Sequence, residues 1–238
     1  MAKAGPRQGS VPERVGEALG AEFKDAQMVK KHRSIAEAAS RVFMAHGYLP
    51  TSVDEIALEA GVSKQTVYKH FGSKENLFLA VTNAATDAVT SELGAQLEAT
   101  TAGSADAAAE LTAFARILAR RVLRPEMMAL RRLVMAETVR FPELGRNWYA
   151  HGPGRVVEQL KARFRELAKQ GLLSIDDPAS AAENFLWLVL ASPQNKILFG
   201  AATAFTDAEI DKMATSSVKV FLAAYQRHPT AVRRSSVR

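Results

Sequence analysis

The sequence has no cysteine. That excludes disulfides and thiolate metal sites and fits a reducing compartment, so the cytoplasm is the expected location. No apolar run approaches the roughly 20 residues that a membrane-spanning helix needs. The amino terminus lacks the apolar core of an export signal. No stretch alternates with period two, so no sheet is expected, and there is no internal repeat. The signatures of catalysis are missing too: no HExxH, no G-x-S-x-G and no P-loop. His32, His46, His70, His151 and His228 are scattered, without a pair at metal-ligand spacing. In Gly152-Pro153-Gly154 the proline removes an amide that a phosphate cradle would use. Asp176 and Asp177 sit at a predicted helix start, where capping accounts for them. These absences point to an all-α protein that is no enzyme and holds neither metal nor cofactor.

What is present is apolar and modestly basic. Hydrophobic residues make up 47% of 238 positions, enough for a sizeable core, and the net charge is +6. Residues 1–80 hold 11 Lys and Arg against 9 Asp and Glu, a surplus of only 2. A polyanion partner must therefore be argued from where the cations lie, not from total charge.

Residues 51–78, TSVDEIALEAGVSKQTVYKHFGSKENLF, organise the chain. Ser52 with Glu55 forms a capping box, each side chain satisfying the other's backbone amide. Val53, Ile56, Ala57 and Ala60 then share one helical face. Gly61 stands where a left-handed residue ends a helix. Ser63 caps the next helix, whose Val67 and Phe71 point inward and leave Lys64, Gln65, Thr66, Tyr68, Lys69 and His70 on or near the open side. Gly72 breaks the chain and Ser73 caps a third helix with Leu77 and Phe78. Helix, glycine turn and donor-rich helix make a helix-turn-helix. The acidic Asp54, Glu55 and Glu59 are expected near the cap or away from the recognition side.

This stretch resembles the DNA-binding domain of the TetR family of transcriptional regulators. The resemblance is carried by Thr51-Ser52-Val53, Ile56-Ala57, Ala60-Gly61-Val62-Ser63, Thr66-Val67-Tyr68, His70-Phe71 and 73–78, SKENLF. It implies a three-helix reader followed by a larger helical domain that binds small molecules and pairs its last two helices with those of a second subunit. It further implies that Tyr68, His70 and Lys74 contact phosphates. The amides around Thr51 and Ser52 would do likewise at a helix start. Ser63 caps the reading helix, while Lys64, Gln65, Thr66 and Lys69 would face base edges. Lys donates to guanine, Gln pairs with adenine, and a Thr methyl meets the thymine methyl. Arg132-Leu133-Val134-Met135-Ala136-Glu137, Arg140-Phe141-Pro142-Glu143-Leu144 and Gly152-Pro153 resemble the AefR-type effector domain within that family. Residues 192–196, SPQNK, do not fit its pattern.

Taken in order, residues 1–25 read as a flexible arm with a weak helical tendency over 11–23, and 26–78 as the DNA-binding domain. Residues 79–228 read as the ligand-binding and dimerisation domain, and 229–238 as a basic tail. Ile35, Ala38, Ala39, Val42 and Phe43 mark the first helix over 26–46, with Lys30, Lys31 and Arg33 flanking a DNA backbone. The helix from Ser73 is expected to reach about residue 97 and to act as the lever between the two domains. Further helices are predicted over 105–123, 126–140, 155–170, 179–199 and 206–227. Pro193 should kink or end the helix over 179–199, and Thr206 with Glu209 should box the one over 206–227. Residues 141–151 read as a short helix or lid, and Gly152-Pro153-Gly154 as a turn.

Phe114, Leu118, Met127, Met128, Leu133, Phe141, Trp148, Tyr149, Phe164 and Trp187 are candidates for an apolar effector pocket, or else for core packing. Arg131, Arg132, Arg140 and Arg155 are candidate anchors for an acidic ligand, or else surface ion pairs. Phe185, Val189, Met213, Val220 and Phe221 are the expected dimer contacts. The function read from this is a homodimeric repressor, released from a near-palindromic operator by a hydrophobic or aromatic molecule. An activator, a ligand-independent regulator and a helical ligand-binding protein with non-specific DNA contact stand as alternatives.

Overall fold

A computed structural model describes the backbone of residues 11–100 and 106–225 and the side chains of 27–99 and 106–225. Every regular element among them is helical, and the chain divides after Val81. None of the described helices is long and apolar enough to cross a membrane.

The first unit holds α1 (Val11–His46), α2 (Val53–Glu59), α3 (Lys64–Phe71) and the beginning of α4 (Lys74–Thr100). Where the sequence predicts an arm to residue 25, the backbone is helical from Val11. The arm's first ten residues and the tail 229–238 lie outside the described residues. Ile35, Ala38, Ala39, Val42 and Phe43 recur at helical spacing in α1 and are buried, as are Val53, Ile56 and Ala57 of α2 and Val67 and Phe71 of α3. Phe43, Tyr48 and Phe78 form an aromatic knot with ring centroids 5.0–5.7 Å apart.

The short helices depend on their ends. Ser52 Oγ accepts the Glu55 amide at 3.2 Å while Glu55 accepts the Ser52 amide at 2.7 Å. These hydrogen bonds hold the Glu55 carboxyl below its ordinary pKa, so the box persists as pH falls through the usual carboxylate range. Gly61 and Gly72 adopt φ of +63° and +76°, a region that a Cβ would strain.

The second unit holds the rest of α4 with α5 (Ala107–Val122), α6 (Pro125–Glu137), α7 (Pro142–Tyr149), α8 (Arg155–Lys169), α9 (Pro178–Leu198) and α10 (Asp207–Tyr225). Asp106 and Asp177 cap α5 and α9 through backbone amides at 3.0 Å. Thr206 and Glu209 close a second capping box. The core gathers Leu111, Phe114, Leu118, Leu160, Phe164, Phe185, Leu186, Val189 and Phe221.

One reading of proline changes here, and a second is narrowed. Ala150–Gly154 is a π-helical turn joining α7 directly to α8, not a break in the helix. Pro153 lacks an N–H, and a π turn is a place where the helical ladder can widen around it. The flanking glycines supply room: a Cβ on Gly152 would stand 3.3 Å from Thr86 Cγ2, and one on Gly154 3.0 Å from the Tyr149 carbonyl. Pro193 likewise lies inside α9, which continues to Leu198.

Candidate nucleic-acid interface and effector cavity

On α3, Val67 and Phe71 are buried, while Lys64, Gln65, Tyr68 and Lys69 are exposed along one face. Thr66 and His70 flank that row, half-buried. Ser63 caps the helix, accepting the Thr66 amide at 3.1 Å, and its hydroxyl lies 2.9 Å from that of Thr66. Gln65, Tyr68 and Lys69 therefore present an amide, a phenol and an ammonium to solvent from consecutive turns, the functional groups that read bases and grip phosphates.

Four of the expected contacts have partners within the chain. Thr51 is 2% exposed, and its hydroxyl donates to the Gly47 carbonyl at 2.7 Å, so its side chain is structural. Ser52 is occupied by its capping box. Lys64 pairs with Asp54 at 2.8 Å, which raises the lysine's pKa. Asp54, in the first turn of α2 near its cap, thus also reaches the reading helix. The pair is exposed, a kind that adds little to folding. Lys74 is turned inward. Its ammonium donates to the Tyr48 carbonyl at 2.9 Å, the Thr51 carbonyl at 2.8 Å and the Leu49 carbonyl at 3.4 Å, and lies 4.4 Å from the Tyr48 ring centre. It clamps the loop between α1 and α2. Lys74→Ala should lower stability by roughly 2–3 kcal/mol and speed amide exchange over 48–53. Unchanged exchange in that loop would refute the clamp.

His70 has a neighbour that sequence spacing hides. His32 of α1 stacks on Phe71 at 4.2 Å, and its ring lies 5.9 Å from that of His70. Burial, then the charges of His32, Lys69 and Lys31, push the His70 pKa down. The neutral imidazole keeps one N–H to donate. Because the folded state resists protonation here, this site's contribution to stability diminishes as pH falls below the ordinary histidine value.

In the second unit a small, partly open apolar cavity of about 40 Å³ lies among α4–α9, so little of it is wide enough for water. Thr86, Val89 and Thr90 come from α4, Leu118 and Val122 from α5, and Met127 and Arg131 from α6. Trp148, Gly152, Pro153 and Val156 come from the α7–α8 run, and Leu186, Trp187, Leu190 and Gln194 from α9. Polar bonds seat α4 against that run: Asn147 donates to Asn83, Arg155 meets Asp87 at 2.9 Å, and Gln159 donates to the Thr90 carbonyl at 2.9 Å.

Of the ten pocket candidates, Leu118, Met127, Trp148 and Trp187 line this cavity. Phe114, Met128 and Phe164 are fully buried in the core instead. Leu133, Phe141 and Tyr149 lie outside the wall. Phe141 sits under the Arg140 guanidinium at 5.3 Å, and Tyr149 is exposed. Among the lining residues not foreseen are the face of α4 and Gln194. The latter is a buried polar side chain from the 192–196 stretch that fitted no pattern.

The expected dimer contacts also divide. Phe185, Val189 and Phe221 are core residues with at most 1% exposure, and Met213 packs partly against them. Val220 is 54% exposed, and Trp187 and Leu188 of α9 line a surface groove with it.

Comparison with known proteins agrees with this anatomy. The family model described as bacterial regulatory proteins, tetR family, matches residues 35–81. A model for the C-terminal domain of AefR-like transcriptional repressors matches residues 109–227, half of the chain. A crystal structure of a TetR-family regulator from Mesorhizobium loti is 35% identical, with a TM-score of 0.79 covering 84% of this chain and 98% of that one. The flavonoid-responsive regulator FrrA is 30% identical, with a TM-score of 0.68 over 84% and 99%. The transcriptional activator FasR of Mycolicibacterium smegmatis is 47% identical over 64 residues, 27% of this chain and only 29% of that protein's length. This chain, a helix-turn-helix followed by a helical domain with an apolar cavity and matched along both parts, belongs to the TetR family of DNA-binding transcriptional regulators.

Proposed function

We propose that this chain is a repressor, released by a small molecule, with an effector domain of the AefR type. It binds a near-palindromic operator as a homodimer through Gln65, Tyr68 and Lys69 of α3, with Thr66 and His70 beside them. Lys64 joins them by exchanging Asp54 for DNA. The observation that carries the reading is an apolar cavity, walled by six helices, in the same chain as a donor-lined reading helix. Adaptable Met127 and the two tryptophans suit an aromatic effector. FrrA, named as flavonoid-responsive, supports the same ligand class. FasR, named an activator, resembles this chain over a short segment only, so activation stands as the second reading, to be decided by where the operator lies.

Pairing is proposed through Trp187, Leu188 and Val220 on α9 and α10. A two-fold dimer sets recognition helices ~34–36 Å apart, the spacing of palindromic half-sites. Helix α4 supplies residues to the reader core (Leu77, Phe78) and to the cavity wall (Thr86, Val89, Thr90), and is the proposed lever between them.

Footprinting on DNA flanking the protein's own gene identifies the operator, and an aromatic library screened through Trp148 and Trp187 fluorescence identifies ligands. A true effector weakens operator binding by about 1–3 kcal/mol, and operator DNA weakens the effector by the same factor. Equal ligand affinity with and without operator would separate the cavity from DNA control. Within the reader, Gln65→Ala should relax preference at one base pair by roughly 1–3 kcal/mol, whereas Tyr68→Phe should weaken all sequences alike. Equal losses on operator and random DNA for Gln65→Ala would remove its base-reading role.

A further inference from the structure

The cavity wall is apolar except at a few points, and these differ in what they still need. The Thr86 hydroxyl donates to the Thr82 and Asn83 carbonyls, and the Thr90 hydroxyl to the Asp87 carbonyl, so both are supplied from their own helix. Gln194 is 4% exposed, and its amide nitrogen has no hydrogen-bond partner. Arg131 has a buried Nε that likewise lacks one, with its guanidinium 5.9 Å from the centre of the Trp148 ring. In this unit Arg116, Arg120, Arg121, Arg155 and Arg163 each meet a carboxylate. Arg131 meets none among the described residues. Both side chains, one cationic and one neutral, have donors to spare, and they line the same cavity.

Arg131 is half-buried with its Nε cut off from solvent; withdrawing a guanidinium from water without an anion is costly, and desolvation alone already lowers the Arg131 pKa. A neutral aromatic ligand would fill the apolar wall and leave that cost in place. A carboxylate would remove it, since it accepts two parallel N–H bonds from a guanidinium and has lone pairs left for an amide. Arg131 also lies beside Trp148, where a ring stacked on the indole would bring an attached carboxylate within the arginine's reach.

We infer that the effector is an amphipathic anion, an aromatic ring system carrying a carboxylate, with its ring against Trp148 and Met127 and its carboxylate on Arg131 and Gln194. This rests on the reading of the cavity as the effector site. It narrows the class from apolar molecules in general to aromatic acids. Because little of the space is wide enough for water, entry of the ring must move Met127 and the indoles outward.

The test uses the full-length protein, isothermal titration calorimetry and two probes of equal shape, 2-naphthoate and neutral 2-naphthamide, at pH 7. The acid should bind about tenfold or more tightly than the amide. Arg131→Met should bring the two within about threefold of each other while amide binding is kept. Gln194→Leu should reduce the preference by a smaller factor. If wild-type protein binds the amide as well as the acid, the aromatic-acid inference is overturned and the effector cavity stands. If neither probe binds folded protein at millimolar concentration, the cavity reading falls and takes the inference with it. The wild-type comparison decides the matter even if Arg131→Met fails to fold. Where that variant is folded by circular dichroism, a preference that survives in it assigns the anion to another group.

Discussion

Phe221→Ala should destabilise the protein by about 3–5 kcal/mol, while Val220→Asp, one residue earlier, should leave the fold intact and produce monomers. The contrast follows from where α10 turns its side chains. Phe221 is fully buried, stacked on Phe164 at 5.0 Å and edge-on to Phe185 at 5.1 Å. Removing its ring leaves a void beside Phe164 and Phe185, which pack edge-on at 5.8 Å in a close-packed core, so little collapse can offset the loss. Val220 is 54% exposed, and a carboxylate there stays hydrated. Surface changes of that kind usually shift folding stability by no more than about 0.5 kcal/mol. Under the proposed pairing of α9 and α10, the same carboxylate would be buried between subunits without a partner. Urea unfolding and sedimentation velocity on both variants separate the two effects. A Val220→Asp protein that sediments like wild type would exclude this face as the interface. A Phe221→Ala protein as stable as wild type would contradict the core described here.

The same helix pair shows why the sequence is readable in one place and opaque in another. α9 is apolar nearly all round, and periodicity alone says only that it is covered on several sides. Burial separates Phe185 and Val189, which serve the core of one chain, from Trp187 and Leu188, which remain at its surface. The reader was legible because its punctuation is local. Ser52, Gly61, Ser63 and Gly72 act within four residues of themselves, and each fixes a helix end whatever lies around it. The cavity was legible only in part. Its membership depends on which flank of six helices meets at one point, so Trp148 and Met127 were found with Phe114 and Phe164, which the core absorbed. The intrachain partners of Lys74 were hidden for a related reason. An ammonium at a helix start next to a DNA reader reads as a phosphate contact until the loop carbonyls 23 to 26 residues earlier are seen to surround it. Proline misled at Pro153, because its cost to a helix is set by what the ladder can rearrange.

Breaking the buried ion pair of the second unit should be among the most damaging single changes: Glu110→Ala or Arg163→Ala is expected to cost about 3–5 kcal/mol. Glu110 of α5 and Arg163 of α8 are 3% and 6% exposed and meet in a bidentate pair at 2.5 and 2.6 Å. The hydrogen bond to Glu110 raises the arginine's pKa further, so the guanidinium stays charged throughout the ordinary pH range. Its stabilising effect is lost only where a base would begin to deprotonate it. Removing either partner strands the other charge in a medium that cannot hydrate it, and Arg163 Nη1 already lacks an acceptor. The pair itself is a different matter, because two desolvation costs oppose its Coulomb attraction. Glu110→Leu combined with Arg163→Met should therefore recover most of the lost stability, and could exceed the wild type by a margin on the order of 1–4 kcal/mol. Urea unfolding of the two single variants and the double variant completes the cycle, and operator binding by the double variant tests whether the pair matters beyond stability. Additive losses in the double variant would mean that the two side chains stabilise the unit independently, by packing and not as a charge pair.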